Sequence, residues 1–336
     1  MTLPSPYLLF LGDVAEANRA KTGLGIAYWA PDRCVGQNRL PGCAADTGLP
    51  DMTAEAAASA GAKALVIGVA PQGGAIPEHW HPALLAALDA GLDLISGMHT
   101  RLSDIQAVAD KAKSLGRSLF DVRHTDLDIP SANGLKRIGK RCLMVGLDSA
   151  LGKKWAALAL TKEMRTRGEN ATFRATGQTG IIIAGEGIAI DAVVADFIAG
   201  AAEILSPAND PDHWDIIEGQ GSIFHGAYGG VSLGLMHGSQ PDAMVLCAHA
   251  GRTHLELLPH IAHRPLGQAI SVHEQLARIT NPAATVVGIS VNTSSLKADD
   301  AARAHLDGIV AETGLPATDP IRFGCSELAD ALQAIT

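Results

Sequence analysis

The sequence predicts an α/β fold made of two parallel-sheet domains, and three observations predict it. Short apolar runs alternate with helix-patterned segments along the chain, which implies right-handed crossovers and parallel sheets. A polar, turn-rich stretch from His124 to Lys140 interrupts the alternation and reads as a linker. The 336 residues are 47% hydrophobic and 18% charged, enough for two cores and too apolar for wholesale disorder. The expected division is 1–135 and 136–336.

In the first half the strand candidates are Tyr7–Leu11, Ala64–Val69, Leu92–Ile95 and Ser118–Asp121. Pro82 to Ala90 reads as a helix with proline in its tolerated first turn. Ser103-Asp104-Ile105-Gln106 has the pattern of a capping box, and its helix is expected to stop at Gly116, a residue suited to a left-handed terminus. Gly12-Asp13, Gly68 to Gly74 and Ser96 to Arg101 follow strands in the manner of ligand loops. No G-x-G-x-x-G follows the first strand, so dinucleotide binding has no support. His79-Trp80-His81 and Asp121-Val122-Arg123-His124 are further polar groupings without a defined chemistry.

The second half restarts with strand Cys142–Val145, helix Lys153–Arg167, strand Thr172–Arg174 and a helix near Ile190–Ala202. Strands Asp215–Glu218, Ala243–Cys247 and Thr285–Val291 follow, with helices near Val272–Ile279, Asp299–Thr313 and Ser326–Ile335.

Charge and cysteine content exclude several classes. Lys plus Arg total 26 against 35 Asp plus Glu, a formal charge of -9, whereas a general nucleic-acid binder needs a basic surface. The five cysteines contain no C-x-x-C pair, which argues against a disulfide framework and a zinc knuckle and fits a reduced cytoplasmic setting. The first residues lack a basic leader, and no apolar run approaches the roughly 20 residues of a membrane span.

The strongest motif is Gly146-Leu147-Asp148-Ser149-Ala150-Leu151-Gly152-Lys153, placed between strand Cys142–Val145 and a helix. This G-x-x-x-x-G-K pattern in a strand–loop–helix context predicts a phosphate cradle of inward N–H groups, a helix N-terminus and a lysine. The next residue is Lys154, followed by Trp155 and Ala156. The hydroxyl that holds Mg²⁺ in NTP-cleaving loops is therefore missing, and the loop reads as one that holds phosphates more than it cleaves them.

Other candidates sit at strand ends, where a parallel sheet faces its ligand. Glu218, before Gly219-Gln220-Gly221, suits metal binding, a general base or an ammonium contact. Arg174, with Gln178 and Thr179 beyond it, suits a carboxylate. His249 fits either a base or a satisfied structural histidine, and its spacing from His254 is poor for a metal. Asn292 could read a purine edge or ribose.

Taken together, V-G-L-D-S-A-L-G-K-K-W, A-T-G-Q-T-G-I, E-G-Q-G-S, A-G-R-T-H and I-S-V-N-T-S make the chain resemble the D-glutamate N-acetyltransferase family, from about Tyr7 to Leu332. That family joins a Rossmann-like N-terminal domain to a P-loop C-terminal domain. It usually has Thr where Leu147 stands, and often Thr where Ala156 stands. The C-terminal half is also similar to dethiobiotin synthetase and its ligase relatives, whose E-G-A-G turn matches Glu218 to Gly221 and whose nucleotide-reading Asn matches Asn292.

The family resemblance implies acetyl-CoA as co-substrate, D-glutamate as acceptor and no metal requirement. It places CoA phosphates on Gly146, Asp148, Ser149, Ala150, Leu151, Gly152, Lys153 and Lys154, with Asn292 at the adenosine. Arg174, Gln178 and Thr179 would orient carboxylates, Glu218 or His249 would act as base, and amides near Gly219 and Gly221 would stabilise an oxyanion. The expected partners are these small molecules, without nucleic acid or membrane, in a cytoplasmic homo-oligomer. An ATP- and Mg²⁺-dependent ligase or small-molecule kinase, and a non-catalytic nucleotide sensor, are the alternatives.

Overall fold

The computed structural model describes residues 2–69, 74–125 and 127–335; Ala70 to Gly73 of the loop after the second predicted strand, and Asp126 of the linker, lie outside them. The chain packs as two compact units, Met1–Asp126 with Gly177–Ala192, and Leu127–Thr176 with Val193–Thr336.

The first unit runs β1 (Tyr7–Gly12), α1 (Lys21–Trp29), β2 (Cys34–Arg39), α2 (Ala54–Ser59), β3 (Ala64–Ile67), α3 (His81–Asp89), β4 (Asp93–Ser96), α4 (Gln106–Leu115) and β5 (Leu119–Asp121). Among the described residues its sheet has the order β2-β1-β3-β4-β5, parallel throughout. Every residue of the near-central β1 is buried, as a strand covered on both faces requires. β1 to β2 steps one way and β3 to β5 the other, so right-handed crossovers put α1 on the face opposite α3 and α4.

The second unit contains β6 (Lys140–Gly146), α5 (Lys153–Thr166) and β7 (Ala171–Arg174). Next comes α6 (Gln178–Ala184), which belongs to the first unit. The second unit resumes with α7 (Ile198–Leu205), β8 (Trp214–Ile217), α8 (Gly229–Ser239) and β9 (Ala243–His249). An antiparallel hairpin, β10 (His254–Leu255) and β11 (Leu258–Ala262), follows. The unit closes with α9 (Leu266–Ala277), β12 (Thr285–Asn292), α10 (Asp299–Thr313), β13 (Ala317–Thr318) and α11 (Ser326–Gln333). Its main sheet, among the described residues, has the order β13-β12-β9-β6-β8-β7, all parallel. β6 is the strand on whose two sides the connections diverge, which puts the ligand crevice at its carboxyl end.

Helix α6 lies beside α1. Thr179 and Thr22 share a hydroxyl–hydroxyl bond at 3.0 Å. The Tyr7 hydroxyl donates to the Ile182 carbonyl at 3.2 Å, and Arg33 Nη1 donates to that of Ile183 at 3.1 Å. Ile181, Ile182 and Ile183 are buried. Residues beyond position 135 thus supply a helix to the α1 face of the first sheet. No helix is expected here from the sequence, because three consecutive isoleucines between glycines carry a strand-like preference that packing overrides.

Three further expectations change. Helix α4 has Ile105 as its N-cap with no side-chain bond, so the capping box does not form; Asp121 Oδ1 instead accepts from the Leu102 amide at 2.8 Å. Gly116 does end this helix, in the left-handed conformation. In place of one helix over Ile190–Ala202, 3-10 turns at Ile190–Ala192 and Ala195–Phe197 precede α7, because the β-branched pair Val193-Val194 disfavours continuous helix. The described linker residues before β6 form no helix or strand yet are firmly held: the Asn133 and Gly134 amides donate to the Glu203 carboxylate at 3.0 and 2.9 Å. The five thiols are unpaired. Among the described residues no helix is long and apolar enough to cross a membrane.

Candidate active site

The loop between β6 and α5 turns on two left-handed residues, Ala150 at φ 51° and Gly152 at φ 98°. For Ala150 this conformation costs about 1–2 kcal/mol, a strain tolerated where a loop must present its amides inward. Lys153 is buried, and its Nζ donates to the Asp148 carbonyl at 2.8 Å. Burial lowers its pKa against the opposing charges of Cys247, Asp148 and Glu218. The half-buried Lys154 is lowered by burial too, and Glu218 opposes the shift. The two ammonium groups therefore sit within the field of one carboxylate.

Glu218 follows β8, the neighbour of β6. A side chain at Gly219 would stand 1.6 Å from the Met144 carbonyl oxygen and 3.0 Å from Lys153 Cδ, so only glycine lets this turn close onto the phosphate-loop strand. Buried Glu218 accepts from the Thr176 amide at 3.0 Å through Oε2. The Thr176 hydroxyl donates to the Glu218 carbonyl at 2.7 Å, and Gln220 Nε2 donates to that hydroxyl at 2.8 Å. Gly221 is left-handed at φ 40°. One strand further out, Arg174 Nε donates to buried Asp215 at 2.7 Å, and its terminal nitrogens make no hydrogen bond among the described residues.

On the other side of β6 stand His249 and Asn292, paired in register at the ends of β9 and β12. His249 Nδ1 lies 2.7 Å from the Ala250 carbonyl, which can only accept, so Nδ1 carries a hydrogen. Asn292 Oδ1 accepts from the Ser294 amide at 3.0 Å. Beside it opens a cavity of about 480 Å³, walled by Gly152, Trp155, Asn292, Leu296, Pro320 and Ile321 among others, within the range of small-molecule sites.

Asp148 is the residue whose place the sequence reading missed. Its side chain is wholly buried. It accepts from the Ser149 and Glu256 amides, both at 2.7 Å, and from Arg252 Nη1 at 3.3 Å, with His263 Nε2 at 3.4 Å. Burial pushes its pKa up, but these hydrogen bonds outweigh burial and hold the carboxyl below the usual range. Asp148 thereby ties the β10–β11 hairpin to the phosphate loop, a long-range contact that no local spacing announces. Gln178 and Thr179, expected beside Arg174, belong to the first unit, where Gln178 packs against Gly97.

A phosphate loop at the switch strand of a parallel sheet, preceded by a separate Rossmann-like sheet, defines a two-domain P-loop protein. The chain belongs to the DUF1611 family: the model described as a P-loop domain matches residues 130–329, and that described as a Rossmann-like domain matches residues 38–125. It is 50% identical over 333 residues, 99% of this chain and all of the relative, to a D-glutamate N-acetyltransferase of Tritonibacter scottomollicae. It is 42% identical over 328 residues, 98% of each chain, to a D-glutamate N-acetyltransferase of a Pseudoalteromonas species. A crystal structure of a DUF1611 family protein from Anabaena variabilis matches with a TM-score of 0.84 at 34% identity, covering 98% of this chain and 99% of that one.

Proposed function

We propose that this protein transfers the acetyl group of acetyl-CoA to the amino group of D-glutamate, releasing N-acetyl-D-glutamate and CoA. The observation that carries the reading is the turn after Glu218 closed onto the switch strand and the loop lysine, where a side chain at Gly219 would stand 1.6 Å from the Met144 carbonyl oxygen and 3.0 Å from Lys153 Cδ, with Lys154 next in the chain. The lysines can neutralise a diphosphate where a metal-holding hydroxyl is missing, and the carboxylate lies where an acceptor amine can be deprotonated. The relatives named D-glutamate N-acetyltransferase support the substrates.

The sheet orders the reaction. The amides of Gly146 to Lys154 hold the CoA diphosphate, and the cavity beside Asn292 takes the adenosine. Glu218 stands one strand from β6 on the other side and Arg174 two strands away, roughly 10 Å at strand spacing. Arg174, steadied by Asp215, presents its terminal nitrogens to a glutamate carboxylate. Glu218 accepts a proton from the ammonium, and the free amine attacks the thioester carbon. The C–N bond forms, the tetrahedral oxyanion meets amides near Gly219 and Gly221, and the C–S bond breaks as the nitrogen gives its second proton to the departing thiolate, leaving the amide and the CoA thiol. His249, across β6 from Glu218, is the second base to test. We further propose a cytoplasmic homo-oligomer whose two domains divide near residue 135; the free thiols fit a reducing compartment.

The test is acetyl-CoA with D-glutamate or L-glutamate in EDTA without ATP. Mass spectrometry should show N-acetyl-D-glutamate equimolar with released CoA. A requirement for ATP and Mg²⁺, with phosphate formed in step with product, would overturn the reading.

A further inference from the structure

The cavity beside the phosphate loop is also bordered by the connection between β12 and α10, and this border is its lip. Gly152 and Leu151 wall it on the loop side, and Lys297 lines it on the side of the β12–α10 connection. Two cations border this lip, and they differ in commitment. Arg322 is spent: its Nε donates to Asp299 at 2.6 Å, its Nη1 to the Leu296 carbonyl at 2.8 Å and its Nη2 to the Lys297 carbonyl at 3.1 Å. Asp319, the acid lining the cavity, accepts from the Thr293 amide and hydroxyl at 2.9 and 2.7 Å and from the Ile321 amide at 3.0 Å. Asp299 is occupied by Arg322. Lys297 is exposed, and its ammonium has no hydrogen-bond or ion-pair partner among the described residues.

Charge at this lip has a use for only some nucleotides. An adenosine diphosphate moiety seated with its phosphates on Gly146 to Lys154 puts its base and ribose in the cavity. ATP then carries no charge at the far end. CoA carries a phosphate on the ribose 3′-oxygen, away from the diphosphate, and that group needs a cation the phosphate loop cannot supply. We propose that Lys297 binds the 3′-phosphate of the CoA co-substrate and makes the cavity selective for CoA over nucleotides without that group. The assignment rests on the acetyl-CoA reading above.

Titration calorimetry with CoA and with 3′-dephospho-CoA tests it. The native protein should bind CoA about tenfold more tightly, the scale of one solvent-accessible charge-assisted phosphate contact. Lys297→Ala should bind both forms with the weaker affinity, and Lys297→Arg should keep the preference; the side chain is exposed, so neither change threatens folding. Equal binding of the two by the native protein, or a preference kept by Lys297→Ala, overturns the assignment while leaving the acetyl-CoA reading standing. Failure of the native protein to bind either form overturns both.

Discussion

At the residue scale, the roles proposed for Lys153 in binding and for Glu218 in proton transfer are separable by substitution. Lys153→Met keeps the buried stem and removes the charge. We expect acetyl-CoA affinity to fall by about tenfold to a hundredfold, as loss of a charge-assisted contact predicts, with Tm changed little; calorimetry and a melting curve check both. Glu218→Gln keeps shape and the Thr176 contact but removes the proposed base. Its kcat should fall about 10²- to 10⁴-fold with acetyl-CoA binding largely intact, and near-normal turnover would move the base to His249. Both residues are legible in the sequence, because glycine spacing and strand ends are local signals. The role of Asp148 is not, since its partners Arg252, Glu256 and His263 lie more than 100 positions away.

At the element scale, α9 carries an acid-sensitive group. His273 is buried, donates through Nδ1 to the Ala269 carbonyl at 2.8 Å, and meets Phe224 edge-on at 5.3 Å. Burial lowers its pKa from 6.5 to about 4, assisted by the Lys153 charge and opposed by the Ala269 bond. Above pH 6.5 both folded and unfolded histidines are neutral. As pH falls from 6.5 to about 4, only the unfolded state takes the proton, and stability is lost by about 3 kcal/mol. Denaturant unfolding from pH 7 to 4 should show this slope in the native protein and less of it in His273→Leu. Helices α7 and α8 pack so closely that a side chain at Gly238 would stand 2.1 Å from the Ala199 carbonyl oxygen. Gly238→Ala should destabilise by about 1–3 kcal/mol through overpacking, despite alanine's better helix propensity; a rise in denaturation midpoint would contradict this. The sequence reading found α5 and α10 from their periodicity but missed α1, whose Gly23 and Gly25 lower helix propensity and are buried in the fold.

At the scale of the whole molecule, helix α6 joins the first unit to residues far along the chain. Residues 1–135 made alone lack α6 and uncover the α1 face that its isoleucines bury. This fragment should aggregate or unfold without a cooperative transition, whereas the full chain unfolds cooperatively; circular dichroism during denaturation distinguishes the two. A fragment with a sharp transition would show that α6 is dispensable.

The alternating pattern by itself determined that this protein is two parallel α/β sheets, and the G-x-x-x-x-G-K run by itself determined where the strand–loop–helix turn of the P-loop domain lies. Both are short-range properties, set by side-chain periodicity and by backbone freedom at glycine. Tertiary structure alone decided that Gln178 and Thr179 pack with the first unit, that Asp148 anchors a hairpin, and that Glu218 and Asn292 stand on opposite sides of the P-loop strand. Those outcomes depend on strand order and on contacts between residues distant in sequence, which hydrophobic periodicity does not encode.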